Sequence, residues 1–121
     1  MATLLVNAGK AIVTNRIKGS GTEPSYVAYG TGAGTTAAAD TTLFTETGTR
    51  QSGTSTQQTT SVTNDTYQVV GTQTAGGTLA ITNAGLFDAS TSGNLFVKGD
   101  FSTINLSSGD SIQFTFKTQF S

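Results

Sequence analysis

From Tyr26 to Phe120 the apolar residues fall in short runs with a period of two, and no other feature of the chain constrains its fold as strongly. In the last run Ile112, Phe114 and Phe116 alternate with Gln113, Thr115 and Lys117, so successive side chains leave opposite faces of an extended backbone. Similar runs lie at 25–30, 67–72, 78–82, 85–88, 94–98 and 101–106, separated by residues that favour turns. Ala75-Gly76-Gly77 predicts a hairpin between the strands at 67–72 and 78–82, and the turn at 89–93 predicts a second between 85–88 and 94–98. Six to eight short strands at this spacing predict a mainly β protein, an antiparallel β-sandwich or jelly-roll-like body.

The polar side of such strands has to come from somewhere, and here it is not charge. Charged residues are 11% of the chain, against about 25% in an average soluble domain. Threonine and serine supply it instead, with 25 and 12 residues. Threonine is β-branched and hydroxylated, so it suits a pleated strand while remaining solvated. At 121 residues the chain is read as one domain with two segments, 1–20 as an N-terminal helix or arm for docking and 21–121 as the β-sandwich body. Between Gly48 and Ser61 there is no aliphatic or aromatic residue, so a polar stretch at about 47–66 reads as an edge hairpin or a loop projecting from the body. Thr41 to Thr47 reads as a single turn that inserts Leu43 and Phe44.

Residues 3–18 are the one segment with helical spacing, with Thr3 as a candidate N-cap and Gly19-Ser20-Gly21 as the stop. At 100° per residue Leu4, Leu5, Ala8, Ala11 and Ile12 share one face, while Val6, Val13 and Ile17 fall nearly opposite. Two apolar stripes exceed what a small body covers. They nominate Leu4, Leu5, Val6, Ile12, Val13 and Ile17 as a contact surface for another protein or for further copies of the chain.

Reactive chemistry finds few residues to use. There is no His and no Cys, which removes histidine-dependent triads, disulfides and thiolate metal sites. The seven carboxylates mostly stand beside Gly, Asn, Ser or Thr, where Asp starts a turn. The run 30–34 misses phosphate-loop spacing because position 35 is Thr, and the run 88–93 misses calcium-loop spacing because Gly99 stands where a Glu is required. Lys98-Gly99-Asp100 resembles an integrin-binding tripeptide and reads as a chance turn. Six basic residues are too few for a nucleic-acid partner, and no run approaches the ~20 apolar residues of a membrane span. The start of the chain lacks the pattern of a secretory signal. No enzyme activity, cofactor, metal or small-molecule substrate is expected.

The order of segments adds a resemblance. Asn-Ala-Gly-Lys-Ala at 7–11 and Tyr-Val-Ala-Tyr-Gly-Thr-Gly at 26–32 are followed by Asp-Thr-Thr-Leu-Phe-Thr-Glu at 40–46 and Ile-Thr-Asn-Ala-Gly-Leu-Phe-Asp-Ala at 81–89. A Gly-Asn-Leu-Phe-Val return at 93–97 and the closing 106–116 complete the series. The chain thereby resembles small tailed-bacteriophage virion proteins, capsid decoration (cement) proteins among them. That resemblance implies a homotrimer on the outer surface of the capsid of a virion, bound across subunits of the major capsid protein to stabilise the head after synthesis in the host cytoplasm. Related sequences in phage tails imply the alternative, a tail or tail-fibre component binding a host receptor or glycan, with Tyr26, Tyr29 and Tyr67 as the aromatics to do so.

Overall fold

The computed structural model describes residues 3–121. The chain runs through β1 (Thr3–Leu5), α1 (Asn7–Lys18), β2 (Tyr26–Gly30), β3 (Glu46–Ser52), β4 (Thr54–Gln58), β5 (Thr66–Thr74), β6 (Leu79–Phe87), β7 (Leu95–Leu106) and β8 (Ser111–Gln119). The strands form two antiparallel sheets, one ordered β1-β7-β6-β2-β3 and the other β4-β5-β8. A mainly β sandwich with one short N-terminal helix is what the period-two pattern requires, and it is what forms.

Alternation along β2 divides the core. Val27 joins Val69 of the small sheet, Leu86, Phe96 and Val97, while its neighbour Ala28 joins Phe87, Leu95, Leu43 and Val6 in a separate cluster. The large sheet is therefore covered twice, by the small sheet on one face and by the 31–45 segment with the start of α1 on the other. Leu43 is buried and Phe44 half-buried, as expected of an inserting turn. The fully buried Asn83 holds that turn from below: its amide accepts from the Phe44 N–H at 3.0 Å and donates to the Phe44 carbonyl at 3.1 Å. Both backbone polar groups of one residue are thus satisfied by a single side chain.

Where the small sheet meets the large one, the backbones come close. A side chain at Gly71 would run into Val27 and one at Gly53 into Val69, so glycine at these two positions permits the approach. The buried Gln73 crosses the gap and donates from Nε2 to the Val27 carbonyl at 2.8 Å.

Three expectations are corrected. Gly76-Gly77 does not close a hairpin: β5 pairs with β4 and β8, and β6 pairs with β2 and β7, so this turn carries the chain from one sheet to the other. A glycine pair permits a reversal without choosing the partner strand. The hairpin at 89–93 does form, joining β6 to β7. Second, the polar stretch 47–66 does not project as a loop: its second half is one arm of an edge hairpin, β4 returning through 59–65 to pair with β5, and its first half belongs to the other sheet. β3 is the edge of the large sheet and β4 the edge of the small one, and the chain passes between them through Gly53, whose N–H donates to the Ser25 carbonyl at 2.7 Å. Edge strands with solvent on their outer faces need few apolar residues, in keeping with their absence from 48 to 61.

Third, the helix does not run from Thr3. Residues 3–5 pair with 97–99 of β7, and α1 begins after Val6, which caps it without a side-chain bond. The first two residues of the 1–20 segment lie outside the described residues. Gly19 ends the helix as expected, left-handed at φ 96°, with its N–H on the Arg16 carbonyl and that of Ser20 on Asn15.

Candidate functional site

Each carboxylate has a structural partner. The Asp65 carboxylate accepts the N–H groups of Val62, Thr60 and Ser61 and the Thr66 hydroxyl, which hold it well below the usual carboxylate range. Asp88 accepts the N–H and side-chain amide of Asn94 and so closes the β6–β7 turn, and Asp110 accepts the Ser107 N–H in the turn before β8. Asp100 accepts the Thr36 N–H at 3.1 Å, and Glu23 accepts the Tyr67 hydroxyl at 3.2 Å. Among the described residues no three of His, Cys, Asp and Glu gather where they could hold a metal ion.

The two cations that face inward also fix loops. Arg50 on β3 bonds Glu46 through two nitrogens, donates to the carbonyls of Ala89 and Ser92, and lies 3.5 Å from the centre of the Phe87 ring. It ties the β6–β7 turn to the edge of the sheet. Lys98 is 1% exposed. Its Nζ donates to Asp40 and to the Thr42 carbonyl, both at 2.9 Å, and sits 3.3 Å from the Phe44 ring centre. The hydrogen bond from Lys98, then that from the Ala37 N–H, holds the Asp40 carboxyl below its usual value. Lys98-Gly99-Asp100 accordingly lies within a paired strand, with Lys98 and Gly99 buried, and not in the turn expected of it.

The tyrosines nominated for sugar stacking are spent elsewhere. Tyr29 is 4% exposed inside the core. Tyr67 meets Phe96 edge-on at 5.8 Å and donates to the Pro24 carbonyl at 2.8 Å, and burial with Glu23 beside it pushes its phenol above the usual range.

The six nominated contact residues are not brought together on one outward face. Val6 is fully buried and Ile12 nearly so, and both belong to core clusters of the body. Leu4, Leu5 and Val13 are half-buried, and only Ile17, at 82%, stands fully in solvent. The two-stripe reading assumed one continuous helix. Because residues 3–5 are a strand, the stripes are the two sides of different elements.

Two open grooves are lined largely by apolar side chains. A groove of about 440 Å³ between α1 and the small sheet is lined by Val13, Ile17, Pro24, Tyr67 and Phe120, with Arg16 and Glu23 on it. A wider cleft of about 650 Å³ separates β1 from β8 and is lined by Leu4, Leu5, Val97, Phe101, Phe114 and Phe116. Sequence reasoning placed Phe114 and Phe116 on an inner face, and nothing in their spacing signals that the strand carrying them ends its sheet.

Compared with known proteins, residues 9–119 match a family profile described as podophage GP4 fiber I protein gp80. No curated protein and no solved structure matches the chain.

Proposed function

This chain belongs to the podophage GP4 fiber I protein gp80 family and is a phage virion structural protein; from that premise we propose that it is a non-enzymatic building subunit of a virion fibre. The observation that carries the reading is the extent of the match, which takes in α1 from Gly9 onward and every strand except β1. The body agrees with a building role. Its carboxylates and inward cations secure loops, and its unoccupied surface is apolar and suited to other protein. A receptor-binding tip that stacks sugars on Tyr26, Tyr29 and Tyr67 is less well served, since Tyr29 is inside the core.

The ordered segments described above favour a second reading, a capsid decoration subunit that binds major capsid protein as a homotrimer. Gold-labelled antibody against the chain, viewed on intact particles by electron microscopy, separates the two. A few clusters at the tail support the fibre assignment, and labels spread over the whole head overturn it in favour of decoration.

A further inference from the structure

The two flanks of the sandwich are finished differently. On one, the chain itself passes from β3 through Gly53 into β4. On the other the chain crosses only through the 107–110 turn and a cleft parts the strands: β1 covers only three residues of β7, and β8 has no strand on its outer side among the described residues. β8 keeps an unbroken nine-residue register with β5, contains no Pro, and carries Lys117 as its one charge. Straight edges of this kind pair with other strands unless something prevents it.

We propose that β8 pairs antiparallel with the β8 of a second copy of this chain, across a two-fold axis at Thr115, giving a continuous sheet ordered β4-β5-β8-β8-β5-β4. The strand is close to self-complementary about that residue. With Thr115 facing its own copy, Phe114 faces Phe116, Gln113 faces Lys117, Ile112 faces Thr118 and Ser111 faces Gln119. All nine residues pair in this register alone. Every inward side chain meets an inward one and every outward side chain an outward one, because facing residues share parity. Lys117 meets an amide whose oxygen can accept a hydrogen bond from its ammonium, and the like-charge opposition that destabilises cross-strand neighbours does not arise.

The second copy also completes the apolar surface. Ile112, Phe114 and Phe116 are half-buried although they lie on the inner face, and Leu5 and Phe101 across the cleft are half-buried too. A two-fold contact sets this cleft against its own image and covers both at once. The pairing is independent of where in the virion the subunit sits, so it stands or falls apart from the fibre assignment.

The chain has no cysteine, which makes a single introduced thiol informative. In full-length protein, Thr115→Cys brings two thiols together across the axis, because directly opposed Cα atoms lie about 4.5–5.5 Å apart, within disulfide reach. Mild oxidation is expected to give a dimer on a non-reducing gel, while Ser111→Cys, whose copy lies far along the ladder, is expected to give none. Gln113 is exposed on the outer face, so its replacement leaves the fold alone. Gln113→Lys opposes two like-charge pairs and should weaken the dimer by roughly 2- to 30-fold in analytical ultracentrifugation, and Gln113→Glu should tighten it within the same range. The wild-type mass should approach about 25 kDa, twice the 12.3 kDa of one chain. A monomer at every concentration, a trimer indifferent to both Gln113 variants, or exchange protection of β8 that arises only with a different virion protein would each overturn the proposal.

Discussion

β7 and β8 are both long strands rich in apolar residues, yet from Leu95 to Gly99 every residue of β7 is buried, while β8 alternates between half-buried and exposed along most of its length. The difference is in what lies above and below. β7 has the small sheet on one side and the 31–45 segment with the start of α1 on the other, whereas the outer face of β8 meets only solvent. A contiguous run such as Leu95-Phe96-Val97 marks a strand covered on two sides, and strict alternation marks one covered on a single side. Stability should therefore concentrate in the large sheet, leaving the small one to be completed by contacts outside the chain.

That contrast can be broken by measurement. Phe96→Ala, in the doubly covered region, should cost about 3–5 kcal/mol in denaturant unfolding, and a loss no larger than that of Phe116→Ala would remove the distinction. Asp40→Asn should cost about 1–3 kcal/mol, because it leaves the buried Lys98 ammonium with a carbonyl and a ring in place of a carboxylate. Its pH signature has a definite sign. The folded Asp40 carboxyl lies below its ordinary value of 3.8, so its contribution is complete above that range and disappears as pH falls through the folded value. Acid titration of the melting temperature should be shallower in the variant.

Phe116→Ala should cost about 1–2 kcal/mol, in keeping with a side chain already half in solvent. Amide exchange should rank the same way, slowest in β6 and the first half of β7 and faster in the edge strand β4. The smallest effect is expected at Ile17→Asp, within about 0.5 kcal/mol of wild type, since the side chain is 82% exposed. If Ile17 is part of a docking surface, the same variant should be depleted from purified particles by immunoblot at unchanged solubility; undiminished incorporation removes it from that role.

Much of the larger sheet was legible in the chain. The return from β6 to β7 is local, with Asp88 and Asn94 bracketing a short turn, and local signals are what a sequence records best. The strand that follows Gly76-Gly77 was legible as a strand, but its partner was not, because pairing with β2 or with β5 is decided by the whole core. The start of α1 was misplaced for the same reason. Thr3 has the chemistry of an N-cap, yet the vacant edge of β7 at Gly99 recruits it into a strand. Of the nominated contact residues, periodicity found the apolar positions and could not tell which ones the body would cover. Conversely, alternation puts Ile112, Phe114 and Phe116 on one face without marking their strand as an edge, since edge position is a property of the assembled sheet.

Gly53 has a mechanical consequence. Because the chain crosses between the sheets there in a single residue, while at the opposite margin it crosses only through the 107–110 turn at one end of β7 and β8, the two sheets are bound like the boards of a book, with the spine at this glycine and the far pages held at one corner. A load that drags the sheets apart opens the free margin first, so a neighbour clasping that margin would reinforce the particle where each subunit by itself yields.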